Sequence, residues 1–213
     1  MPTDQAYKIR TKRDNLHLRV LKGHFATSHS HLNYYIDVTM QKSRLSEAQA
    51  VAAEIASYYR TTTMVDTILC LDGMEVIGTC LANELTSSNF ANLNSHNTIY
   101  LVTPEYTQGS QIIFRDSATP MIAGKHVLVL AASVATGYTV RGALEAVNYY
   151  GGIPAGICSI FATMDDYMGH KVVSVFNPND LEGYQSLPSH ECPMCKRGER
   201  LNALVNKFGF SKL

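Results

Sequence analysis

Four short apolar runs, all but the middle two separated by a stretch of helical periodicity, are the feature that most constrains how this 213-residue chain folds. They are residues 66–71 (DTILCL), 98–103 (TIYLVT), 126–132 (HVLVLAA) and 153–162 (IPAGICSIFA), with a further run at 171–176 (KVVSVF). None alternates cleanly between apolar and polar residues, so each reads as a strand buried on both faces. Residues 43–60 carry Leu45, Ala48, Val51, Ala52 and Ile55 at helical spacing, with Ser43 or Ser46 available as a cap and Glu47 early in the helix. Residues 74–86 place Val76, Ile77, Cys80, Leu81 and Leu85 on one side, and residues 138–150 form a third helix stopped by Gly151-Gly152. Strands alternating with helices predict an α/β domain with a mostly parallel sheet covered on both faces. Pro104 stops the second strand, and the polar stretch 107–123 fits a loop or a loose hairpin. The tail carries a Cys-x-x-Cys element and an amphipathic piece at 200–208.

No repeat, low-complexity block or linker divides the chain, so a single domain over 1–213 is expected, with 1–40 and 177–213 as hood and tail elements. Hydrophobic residues make up 46%, enough for a packed core. Formal net charge is zero, and the basic clusters at 8–13 and 196–200 are short, so a nucleic-acid footprint is not expected. The start of the chain is polar rather than signal-like, and the longest apolar run, 127–135, is too short to span a bilayer. Three of five cysteines, Cys70, Cys80 and Cys158, sit in apolar runs as small hydrophobes, a usage that fits a reducing cytoplasm. Gly-x-Ser-x-Gly and Gly-x-Gly-x-x-Gly are both absent, which argues against a hydrolase elbow and a dinucleotide fold.

Ligands of parallel sheets bind beyond the carboxyl ends of the strands, which singles out the loops 72–75, 105–123 and 132–139. The strongest constellation is VLVLAASVATGYT, residues 127–139. A strand runs into a turn of small residues, then Thr136-Gly137-Tyr138-Thr139 opens a helix. Backbone N–H groups and the positive helix end then converge on one point suited to a phosphate. Ser133, Ala135, Thr136, Gly137, Tyr138 and Thr139 are the candidate phosphate-binding residues, Gly137 letting the backbone approach closely. An ordinary strand–turn–helix with threonine caps is the structural alternative.

This segment resembles the phosphoribosyl diphosphate motif of type I phosphoribosyltransferases: four apolar residues, an acidic pair, then Thr-Gly-x-Thr. The strand and its Thr-Gly-Tyr-Thr end match, whereas Ala131 and Ala132 stand where the family carries the carboxylates that hold the ribose hydroxyls. Other segments are similar to the orotate branch. Gly23-His24-Phe25, His29-Ser30 and Tyr35-Ile36-Asp37 resemble its N-terminal strand region, and residues 71–81 (LDGMEVIGTCL) its diphosphate loop and following helix. Residues 151–161 resemble the next strand, and Cys192-Pro193-Met194-Cys195-Lys196 resembles a tail seen in some members. The likeness runs from about residue 20 to 200 in the right order.

The resemblance implies a phosphoribosyltransferase-type sheet of five mostly parallel strands, with helices on both faces and a small N-terminal hood. It also implies a diphosphate loop at Asp72, Gly73, Met74 and Glu75, a base pocket near Phe25, His29 and Tyr35, a magnesium ion if the chain is active, and a homodimer. The mobile-loop lysine of the family has no counterpart between Thr103 and Lys125 other than Arg115, the candidate catalytic cation, and the usual Lys-Ser-Gly is Ala26-Thr27-Ser28. The expected function is therefore binding of a phosphorylated ligand (phosphoribosyl diphosphate, nucleotide or phosphate), with an active transferase and a purely structural protein as alternatives. His190, Cys192 and Cys195 are candidate zinc ligands, and His24, His29 and His31 form a weaker group with no fixed spacing to a cysteine or carboxylate.

Overall fold

The computed structural model describes residues 7–10, 16–87, 92–95, 98–109, 111–206 and 209–213. The chain divides into two compact units, one made of Met1–Thr39 with Phe176–Leu213, the other of Met40–Val175. The first unit begins with β1 (Tyr7–Arg10), β2 (His17–Ala26) and β3 (His31–Asp37), an antiparallel meander. These strands are not among the apolar runs that mark strands in the rest of the sequence.

The second unit opens with α1 (Thr39–Ser43) and α2 (Leu45–Tyr59). Neither Ser43 nor Ser46 caps α2. Its N-cap is Arg44, in extended backbone without a side-chain cap, because the Arg44 amide closes the preceding turn on Met40. The buried face is Ala48, Val51, Ala52, Ile55, Ala56 and Tyr59, at helical spacing. There follow β4 (Thr67–Cys70), α3 (Glu75–Thr86), β5 (Tyr100–Val102), β6 (Glu105–Tyr106), β7 (Ile112–Ile113), β8 (His126–Val134), α4 (Tyr138–Tyr149), β9 (Ile153–Ala162), β10 (Asp166–Tyr167) and β11 (His170–Phe176). The short hairpin β6–β7 realises the loose hairpin expected between residues 107 and 123, starting two residues earlier.

The sheet runs β10-β11-β9-β8-β4-β5, and the pairs β9–β8, β8–β4 and β4–β5 are parallel. Five strands match the expectation, and β10 adds a two-residue edge to β11. Both faces are covered, as the unbroken apolar strands require. On one face Val127, Val129 and Ala131 of β8 share a core with Val140, Ala143, Leu144 and Val147 of α4. The alternate residues turn the other way: Leu130 packs beside Gly78 of α3, and Leu128 lies near Gly156 and Tyr59 of α2. Tyr59 also donates its hydroxyl to the Ile157 carbonyl at 2.8 Å, anchoring α2 to β9. Truncating a core residue such as Leu144 to alanine is worth about 2–5 kcal/mol.

The chain then returns to the first unit with β12 (Ser186–Leu187), α5 (Pro193–Lys196), β13 (Ala203–Asn206) and β14 (Gly209–Lys212). Within the amphipathic tail piece, residues 203–206 form β13, parallel to β2 and antiparallel to β14, while residues 207 and 208 lie outside the described residues. Leu21, Phe25, Tyr35 and Ala203 form a small core beneath this sheet. Among the described residues no helix is long and apolar enough to cross a membrane.

Candidate active site

The winding of the large sheet reverses between β4 and β8. From β4 the chain passes through α3 to β5 on one side, then returns to β8 on the other and continues through α4 to β9. The Leu71 amide donates to the Leu130 carbonyl at 2.9 Å, so β4 ends beside Leu130 while β8 runs on to Val134 at the same end of the sheet. Such a switch point, at the carboxyl ends of the strands, is where open α/β sheets leave a crevice.

The turn after β4 is a tight corner. Asp72 and Gly73 have φ of 53° and 78°, Met74 is fully buried, and Glu75 begins α3. Lys42 of α1 donates its ammonium to the Asp72 carbonyl at 2.7 Å, bringing a positive charge to this corner. The Thr103 hydroxyl donates to Glu75 Oε1 at 3.3 Å. Burial pushes the Tyr106 hydroxyl up to about 12, and the nearby Asp72 charge adds to the effect. The loops after β4 and β5 therefore meet.

The turn after β8 begins later than the sequence suggests. β8 continues to Val134, two residues past the expected 126–132, and Ala131 is fully buried in the core. The strand extends because β9 is long enough to pair with it, Ala131 opposite Ser159 and Val134 opposite Ala162. The Thr163 hydroxyl then donates to the Ala135 carbonyl at 2.7 Å. Ser133, Thr136, Tyr138 and Thr139 are exposed, and α4 starts without any side-chain cap. The first N–H groups of a helix have no partner within it, so an uncapped start is a source of anion-binding donors.

Several expected site residues lie elsewhere. Gly137 adopts φ of 79°, which favours glycine, but it is buried rather than open to a ligand. A Cβ at this position would lie 2.1 Å from Cε2 of Tyr167, so the close approach it permits is that of the Tyr167 ring. Arg115 makes a bidentate pair with Glu105 across the β6–β7 hairpin, Nε to Oε1 at 2.8 Å and Nη2 to Oε2 at 2.6 Å. That pair ties it to the hairpin rather than leaving it as a free cation. Phe25 and Tyr35 are core residues of the first unit, their rings 6.0 Å apart, while His29 is exposed on the β2–β3 turn. The three do not line a common base pocket. His190 points to Glu191 at 3.3 Å and is no part of the group that gathers around Cys192 and Cys195.

Two residues at this site escaped the sequence reading. Lys42 sits in a polar segment with no motif, and Tyr167 sits in a two-residue strand whose pairing is not legible locally.

No protein-family model matches the chain, and no curated protein matches it either. Solved structures do. Orotate phosphoribosyltransferase of Mycobacterium tuberculosis superposes with a TM-score of 0.54 at 17% identity, over 77% of this chain and 92% of that one. UMP synthase of Leishmania donovani gives 0.56 at 20% identity, over 76% of this chain but only 34% of the larger protein. Adenine phosphoribosyltransferase of Trypanosoma brucei gives 0.50 at 12% identity, over 80% and 79%. The fold is that of the phosphoribosyltransferases. Within the phosphoribosyltransferase fold, the Thr-Gly-Tyr-Thr segment occupies the switch-point turn, and the two alanines precede it in the strand.

Proposed function

We propose that the protein binds a phosphorylated small molecule, a nucleotide or sugar phosphate, at the β4–β8 switch point and does not transfer the phosphoribosyl group. One observation carries this reading: α4 opens beyond the carboxyl end of β8 with no side-chain cap and with Thr136, Tyr138 and Thr139 exposed around its first turn. The Thr139 amide, the hydroxyls of Ser133, Thr136 and Thr139, and the helix dipole together favour a dianion. Lys42 adds positive charge at the adjoining corner. The structure of the Trypanosoma brucei neighbour is a complex with AMP, pyrophosphate and ribose-5-phosphate, which accords with a phosphorylated ligand on this scaffold.

Transfer finds less support. Position 131 is a core alanine and position 132 another alanine, so no carboxylate is present at either to grip a ribose diol. Losing two charged hydrogen bonds is worth about 3–6 kcal/mol, or roughly 10²–10⁴ in affinity or rate. The donors also fit magnesium poorly. The two nearby acidic residues are Asp72 and Glu75, one Glu75 oxygen accepts from Thr103, and the Lys42 ammonium would lie 3.6 Å from a Cβ on Gly73. Isothermal titration with inorganic phosphate, phosphoribosyl diphosphate and a nucleoside monophosphate tests the reading. Binding at millimolar concentration or tighter, weakened in Lys42→Met and Thr139→Ala, is expected. No binding of any of the three overturns it, and orotate turnover at ordinary enzyme rates overturns the absence of transfer.

A further inference from the structure

We infer that the first unit carries a structural zinc site built from His24, His31, Cys192 and Cys195. One ligand atom from each of these residues lies within 4.8 Å of every other. Tetrahedral zinc with Zn–S of about 2.3 Å and Zn–N of about 2.05 Å requires ligand-to-ligand edges of roughly 3.3 Å for N···N and 3.5 Å for N···S. Here His24 Nε2 and His31 Nδ1 are 3.0 Å apart. The sulfur of Cys192 is 3.5 Å from His24 Nε2, and that of Cys195 is 3.6 Å from His24 Nε2 and 3.2 Å from His31 Nδ1. These four edges lie within a few tenths of an ångström of those of an S₂N₂ tetrahedron, and the other two are no longer than 4.8 Å. The two imidazoles are set edge to face, centroids 5.0 Å apart, so ring nitrogens converge instead of stacking. Neither cysteine forms a disulfide.

The backbone is arranged to hold this group. The register of β2 against β3 shifts between Lys22 and Phe25, and at that irregularity Asn202 clasps the chain from both sides. The His24 amide donates to Asn202 Oδ1 at 2.6 Å, and the Asn202 amide donates to the His24 carbonyl at 2.7 Å. A Cβ on Gly23 would sit 2.7 Å from Asn202 Oδ1, so glycine is what lets the two segments meet. His24 is buried, and its Nδ1 lies 3.0 Å from the Glu199 carbonyl. Donating there fixes the tautomer and presents Nε2 as a lone pair, the outer-shell arrangement that zinc-bound histidines use. His31 comes from the facing strand β3, where Ala26 and His31 are register partners. The cysteines come from the start of α5: Cys192 is its N-cap, Pro193 its first residue, and Cys195 follows one turn on. The Lys196 amide bonds back to the Cys192 carbonyl at 3.1 Å, closing the knuckle around the two thiols.

The site joins residues about 170 positions apart and so ties the C-terminal tail to the N-terminal hairpin. The ligand set replaces the His190, Cys192, Cys195 grouping of the sequence reading. The inference does not rest on phosphate binding in the second unit.

Full-length protein purified without added metal is to be assayed for zinc by mass spectrometry, then stripped with chelator and titrated with cobalt(II). The expected result is one zinc per chain. The cobalt form is expected to show the intense visible d–d bands and near-ultraviolet thiolate charge transfer of a tetrahedral site. His31→Ala and Cys195→Ser should each weaken cobalt affinity by at least the roughly 10–100-fold that loss of an outer-shell partner costs, while His190→Ala leaves it unchanged. The wild-type spectrum decides the geometry even if a variant misfolds. A weak octahedral spectrum, no stoichiometric metal, or undiminished affinity in both ligand variants would overturn the site.

Discussion

Gly137 and Tyr167 form a contact whose energetics separate two reasons for a glycine at the start of α4. Replacing Gly137 by alanine places a side chain on φ of 79°, which costs about 1–2 kcal/mol for an L-residue. The added Cβ would also lie 2.1 Å, 2.5 Å and 2.8 Å from three carbons of the Tyr167 ring, against ordinary contacts of 3.4–4 Å. The ring must then leave its place on the core, which Tyr167 covers while half-buried. If roughly 100 Å² of apolar surface is released, that adds about 2.5 kcal/mol. Gly137→Ala alone is therefore expected to lose about 3.5–4.5 kcal/mol. In a Tyr167→Ala background the clash is gone and only the backbone cost of about 1–2 kcal/mol remains. Urea unfolding of the parent, both single variants and the double variant closes the cycle, with an expected coupling of about 2.5 kcal/mol. A coupling below about 0.5 kcal/mol would refute the packing of Tyr167 on Gly137 and return the glycine to a ligand-facing role. Phosphate titration of Tyr167→Ala provides the functional arm: affinity at least equal to that of the parent is expected.

Ala131→Asp buries a carboxyl among apolar side chains and should lower stability by several kcal/mol in urea unfolding, while Ala132→Asp, at a half-buried position, costs far less. Asp66 links the amino ends of two strands, accepting from both the His126 amide and ring Nδ1 at 2.8 Å. Burial raises its carboxyl, but those hydrogen bonds and the charges of His126 and Lys125 outweigh it and hold the group below its ordinary value. Its stabilisation, about 1 kcal/mol for so open a pair, is full above the unfolded value near 3.9 and is lost as pH falls through the lower folded value. The urea midpoint of the parent should consequently drop more steeply below about pH 4 than that of Asp66→Asn. Arg115→Gln should leave phosphate affinity unchanged by titration, since the arginine is held by Glu105 on an exposed hairpin.

The parallel α/β core was legible in the sequence because its cause is local. A strand covered on both faces has no polar alternation, and α2, α3 and α4 show their buried faces at a spacing of three to four residues. The turn at Thr136–Thr139 could be read for the same reason, a strand ending in small residues before a helix. The strands β1 to β3 carry no continuous apolar run because their burial is partial, and β13 could not be read because its parallel partner β2 lies far away in sequence. Tertiary structure alone decided which side chains meet. It set Tyr167 on Gly137, tied Arg115 to Glu105, and drew Phe25 and Tyr35 into a core. The cysteine pair announced itself by its spacing along one short helix, but its histidine partners stand more than 160 residues away, across a strand pair whose register a bulge resets. Short-range periodicity follows from backbone geometry and can be read along the chain; the meeting of distant residues follows from packing, to which one-dimensional spacing is blind.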